Sequence, residues 1–123
     1  MNFPQDWPKG CPPSEAEGAN GVYFRVGRYN PPAAEDFQSQ AELGLAVGGD
    51  ECLRVGLSML RTLADAKHLT RLNGRLGKVI YQGNLDASHG QSKLTSSQRS
   101  PSHTTWWPFA DMDRTAPFRV VEA

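Results

Sequence analysis

Three polar side chains stand where a short chain could do chemistry: Arg25 in "VYFRVG", Ser58 in "GLS" and His103 in "SHTTWW". Arg25 offers a planar guanidinium whose parallel N–H groups match a phosphate or a carboxylate. Ser58, just before a turn, is suited to orient Arg25 or to bind a hydroxyl. His103 starts the strand that carries both tryptophans. Tyr23 falls on the same strand face as Arg25. Trp106 and Trp107 supply flat surfaces on which a base or a nicotinamide ring can stack. If the strands carrying these residues are neighbours, Arg25, Ser58 and His103 converge in one cleft. Each residue also has a plainer explanation. Arg25 can pair with Glu35 or Asp36 of the following segment, Ser58 can simply end a strand, and His103 can lie on a polar surface. The two tryptophans point to opposite faces of a strand, one toward the core and the other beneath a proline-rich arm.

Other chemistries lack their signatures. His68, His89 and His103 form no HxxxH or HxxE pair, so no metal site is expected. There is no GxSxG elbow and no phosphate-binding glycine pattern; "GLAVGGDE" (44–51) reads as a plain turn. Cys11 and Cys52 lie far apart with no CxxC, and the expectation is two reduced thiols.

The elements that must position the candidates follow from periodicity. Residues 1–20 form a proline-rich arm in which Phe3 and Trp7 can dock onto the body. In 21–29, Val22, Phe24 and Val26 alternate against Tyr23 and Arg25, which predicts a strand. Asn30, Pro31 and Pro32 suit the opening of a helix, and Gly44 suits its end. A second strand is expected over 52–59. Thr62 and Asp65 make a capping pattern for a helix burying Leu63, Ala66 and Leu69, stopped at Asn73-Gly74. Strands are then expected over 77–85, 103–109 and 116–123, with a long polar loop over 91–102. The expected fold is α+β: a single domain over 21–123 with two helices and a mixed or mainly antiparallel sheet of about five strands.

Composition bounds the function. The 123 residues suit one domain, and 13 basic residues balance 13 acidic ones. Zero net charge argues against a nucleic-acid partner. No stretch approaches a membrane span and no apolar leader opens the chain, so the expected location is cytoplasmic.

The stretch 21–69 resembles the opening of ADP-ribosyltransferase-type domains, on "YFR" (23–25), "DFQS" (36–39), "GLS" (56–58) and "TLADAKHL" (62–69). In the arginine–serine–glutamate class the arginine lies on the first strand, the serine on the next long one and a glutamate on a later strand. The resemblance thus implies NAD as cofactor, with Arg25 and Ser58 among its contacts. This chain departs from the class: it has no S-T-S triplet at 58 and no E-x-E pair downstream, and its only late glutamate is Glu122. The chain as a whole resembles small uncharacterised bacterial proteins carrying "CPPS", "NPP..DF", "GLS" and "HTTWW" segments, which implies a bacterial or phage context.

Three functions remain in play. The first is an interaction protein of inhibitor or immunity type, which needs no cofactor and presents the tryptophans and the 91–102 segment to a protein partner. The second is an NAD-binding enzyme of toxin or effector type, with Arg25 and Ser58 at the site, His103 donating to ribose or pyrophosphate, and Tyr23, Trp106 or Trp107 stacking on nicotinamide. The third is a metal-independent ribonuclease using His103 with Arg99, Lys93 or Arg25.

Overall fold

The structure is a computed structural model that describes residues 1–45 and 49–123. The centre of the expected 44–51 turn therefore lies outside the described residues. The strands are β1 (Glu17–Gly18), β2 (Gly21–Gly27), β3 (Leu57–Met59), β4 (Val79–Leu85), β5 (Gly90–Leu94), β6 (Thr104–Pro108) and β7 (Phe118–Glu122), and the helices are α1 (Glu51–Val55) and α2 (Leu63–Leu72). The fold is α+β with every strand pair antiparallel. The strands divide between two sheets, ordered β1-β5-β6-β3 and β2-β4-β7. A bridge between Phe24 and Leu60 joins them where the chain leaves β3.

The alternation of β2 is real, but both faces are covered beyond Val22, which is exposed. Phe24 and Val26 pack with Ile80, Leu60 and Ala66 beneath α2. Tyr23 turns the other way, into an aromatic core with Phe37, Tyr81, Trp106 and Phe118 between the sheets. The sheet β2-β4-β7 thus has a helix on one side and the second sheet on the other. The expected helix α2 forms as read: Thr62 caps it by accepting from the Asp65 N–H at 3.1 Å, and Ala66 is fully buried.

Four local expectations are corrected. The helix anticipated after Asn30 is only a 3-10 turn, Ala34–Phe37. Its carbonyls are taken by side chains: Arg25 binds those of Asp36 and Gln38, and Arg114 binds that of Phe37. A helix would need those acceptors for its own ladder. The strand expected from Cys52 starts only at Leu57, because Asp50 accepts from the Cys52 and Leu53 N–H groups and so nucleates α1. The polar loop over 91–102 instead carries β5, paired with β1 and β6, whose ladders satisfy a backbone whose one large apolar side chain, Leu94, is exposed. Gly90 opens β5 at φ +125°, where an added Cβ would collide with the Trp107 carbonyl. Finally, Cys11 and Cys52 form a disulfide instead of standing as free thiols. It joins the arm to α1 over a separation that no local sequence pattern signals.

The arm itself is docked. Phe3 packs on Trp7 and Phe109, with ring centroids 5.6 and 4.8 Å away, and the Ala110 N–H donates to the Asn2 carbonyl at 2.8 Å. Among the described residues no helix is long and apolar enough to cross a membrane.

Candidate functional site

Arg25 leaves β2 on the face that looks toward the second sheet and reaches its edge. Its guanidinium donates to three backbone carbonyls: Nε to Asp36 at 2.8 Å, Nη1 to Ser58 at 2.8 Å and Nη2 to Gln38 at 3.3 Å. It also lies 5.7 Å from the centre of the Phe37 ring. Burial pulls its pKa down to about 10, and the nearby Asp36 opposes that fall, so the group stays charged at neutral pH. The expected partners are corrected: Arg25 makes no ion pair with Glu35 or with the Asp36 carboxylate. That carboxylate accepts instead from the Arg28 N–H at 2.8 Å, the Ala33 N–H at 3.0 Å and the Tyr81 hydroxyl at 2.8 Å. Arg25 is thus a clamp between β2, β3 and the 36–38 segment. The guanidinium has five N–H groups, so two remain available for another acceptor.

Arg25, Ser58 and His103 line one cleft of about 830 Å³. Ser58 pairs with Thr105 across the β3-β6 ladder, so the two side chains share a face. Ser58 is exposed while Thr105 is buried. Thr95 links this row: its hydroxyl lies 2.9 Å from Thr105 Oγ1 and 2.9 Å from His103 Nδ1. His103 Nδ1 is also 3.0 Å from the Thr95 carbonyl, which can only accept. Nδ1 therefore carries the proton, and in the neutral ring Nε2 is a lone pair. Burial lowers the His103 pKa, with the Thr95 carbonyl opposing, so the neutral form is favoured. At neutral pH His103 offers a hydrogen-bond acceptor, or a weak base, and not the donor anticipated from sequence.

This has a consequence for stability. The unfolded chain binds a proton on His103 near pH 6.5, the folded chain only at lower pH. Stability from this group is complete above 6.5 and is lost as pH falls from there through the folded value. Urea melts at pH 7.5 and 5.5 should show a lower midpoint at 5.5, with a smaller drop for His103→Gln. An equal drop in both proteins would show that His103 does not carry the effect.

The aromatic candidates lie elsewhere. Tyr23 is buried; its hydroxyl is 2.7 Å from Ser92 Oγ and accepts from the Asn20 N–H at 3.0 Å, and Arg61 stacks on its ring at 4.0 Å. Trp106 and Trp107 are both completely buried; their Nε1 groups donate to the His89 carbonyl at 3.1 Å and the Cys52 carbonyl at 2.9 Å. None of the three has an open ring face for a ligand in this fold. Glu122, the late glutamate, pairs with Lys67 on α2 at 3.1 Å and does not line the cleft.

Sequence reading missed one cation of the cleft. Arg54 lines it together with Arg99, which sequence had placed beside His103 in the ribonuclease reading, and Arg54 Nε is a buried donor with no partner among the described residues. Arg54 sits on α1, a helix read as strand, so its direction was hidden. Among the described residues the one carboxylate lining the cleft is Asp50, which caps α1. Guanidinium groups thus outnumber carboxylates around a row of hydroxyls. Such a cleft favours an anion that also carries hydroxyl groups. Leu43, Leu45, Leu53, Leu72 and Leu76 are exposed and form much of its rim. No protein-family model, curated protein or solved structure matches the chain.

Proposed function

We propose that this cleft binds a pyrophosphate-bridged dinucleotide, with NAD as the ligand the ADP-ribosyltransferase resemblance implies. The observation that carries the reading is that Arg25, Ser58 and His103, from three separate segments, line the same open cleft. The donor set fits the group. Arg54 and Arg99 would take the phosphates, Arg54 Nε having no acceptor among the described residues. Ser58 would hold a hydroxyl, and His103 Nε2 would accept from a ribose hydroxyl. Arg25 would hold the cleft edge in shape and lend its remaining N–H groups to the ligand. The leucine rim would cover the flat rings, a role reassigned from Tyr23, Trp106 and Trp107. Bound NAD supplies a sugar carbon that nicotinamide can leave. The reading is of binding and orientation, because no glutamate among the described residues lines the cleft to match the third residue of the class it resembles.

Calorimetric titration with NAD and with ADP-ribose tests it. Wild type is expected to bind, and Ser58→Ala and His103→Ala each to weaken binding about five- to tenfold, one hydrogen bond apiece. No heat of binding with either compound, or a double variant binding as tightly as wild type, would sink the reading.

A protein-binding role, of inhibitor or immunity type, retains one supporting observation: the exposed leucines at the cleft rim form an apolar patch of the kind that marks contact sites. It no longer has tryptophan anchors to offer. Of the cations in the ribonuclease reading, Lys93 pairs with Glu15 at 3.4 Å, while Arg99 and Arg25 line the cleft with His103. The disulfide supports an oxidising compartment for the assembled cleft, in place of the reducing cytoplasm.

A further inference from the structure

The helix that brings Leu53 and Arg54 to the cleft is weakly built. α1 has five residues and none of them is fully buried. A helix of that length does not stand alone in water. Its non-covalent ties are few: the Asp50 cap, the Trp107 indole on the Cys52 carbonyl, the Ala41 N–H on the Arg54 carbonyl at 3.1 Å, and Arg54 on the Leu45 carbonyl at 2.6 Å. The remaining tie is covalent. Cys52 is bonded to Cys11, and the arm that carries Cys11 is docked by Phe3 and Asn2 against Phe109 and Ala110, beyond the end of β6. Neither cysteine belongs to either hydrophobic core cluster, and both are partly exposed.

We infer that the Cys11–Cys52 disulfide is a redox-sensitive latch on the cleft. Oxidised, it holds α1, and with it Arg54 and Leu53, as one wall. A dithiol reductant attacks one sulfur to form a mixed disulfide, and its second thiol then closes on the first. The protein disulfide becomes two thiols and the reductant becomes a disulfide, with two electrons and two protons transferred. Without the bond, α1 and the arm come away from the cleft while both sheets stay folded, since their cores do not include the cysteines. The latch acts on the wall whatever the cleft binds, so it stands or falls apart from the dinucleotide reading.

Hydrogen exchange read by mass spectrometry tests it on the oxidised protein, the dithiothreitol-treated protein and the Cys11→Ser/Cys52→Ser variant. The expected result is exchange about tenfold or more faster over 51–55 and in the arm, with Val79–Leu85 as protected as before. Unchanged exchange over 51–55 in the variant would overturn the latch. So would loss of protection across Val79–Leu85, which would make the bond a staple of the whole fold. A disulfide that dithiothreitol reduces only after urea is added would overturn it as well.

Discussion

Arg25→Ala is expected to destabilise the protein by about 3 kcal/mol with no ligand present. The guanidinium satisfies the carbonyls of Asp36, Ser58 and Gln38, which lie on two segments, 36–38 and β3, that no ladder joins. Alanine leaves those acceptors half-covered and empties the space beside Phe37. For a chain of this size the melting temperature should fall by about 10 °C. Arg25→Lys should recover less than half of the loss, because one ammonium cannot span three acceptors arranged for a planar fork. Thermal unfolding of both variants decides the matter. Two variants as stable as wild type would make Arg25 a ligand group with no structural duty. A loss of NAD binding in Arg25→Ala alone would therefore say little, which is why Ser58 and His103 carry the binding test.

Asp36→Ala should cost about 4 kcal/mol, more than any other single polar change considered. The carboxylate is 6% exposed and accepts from the Arg28 and Ala33 N–H groups and from the Tyr81 hydroxyl. Those contacts turn the chain sharply after β2 and fix the carbonyls that Arg25 uses. The Tyr81 pKa is raised, first by burial and then by its bond to Asp36, so the phenol remains a donor across the accessible pH range. Asp36→Asn should lose about half as much, since the amide keeps one acceptor but presents a donor to another donor. Asp36 and Arg25 share the same turn, so the double variant should lose less than the two single losses added together. Chemical denaturation of the four proteins of the cycle measures this, and strict additivity would show that the two residues act separately.

Much of the outline was legible in the chain. β2, β4, β6, β7 and α2 follow from alternation, from a Thr62 cap and from an Asn-Gly stop, all of them local signals. What failed was local in appearance and non-local in cause. The segment after Asn30 has prolines and early acids that suit a helix, yet Arg25 and Arg114 take its carbonyls. β5 has the composition of a loop, and its strand form depends on two partners distant in sequence. Cys52 looked like a strand residue because Cys52, Leu53, Val55 and Leu57 make a short apolar run; the Asp50 cap outweighed that pattern.

The site divided in the same way. Residue type and strand phase singled out Arg25, Ser58 and His103, which line one cleft, because polar groups at fixed positions on strands have only two faces to choose from. Phase alone could not say that both faces of β2 are covered beyond Val22, with Tyr23 buried, or that both tryptophans are enclosed. Those facts depend on a second sheet and a helix arriving from far along the chain. Nor could it show that Arg25 is held by main-chain carbonyls and not by the carboxylates of Glu35 or Asp36, that His103 carries its proton on Nδ1, or that Cys11 meets Cys52. Local pattern determined which side of each strand a residue takes. Only the tertiary packing decided what stands opposite it, because burial, hydrogen-bond partners and disulfide pairing depend on contacts between segments that sequence spacing does not encode.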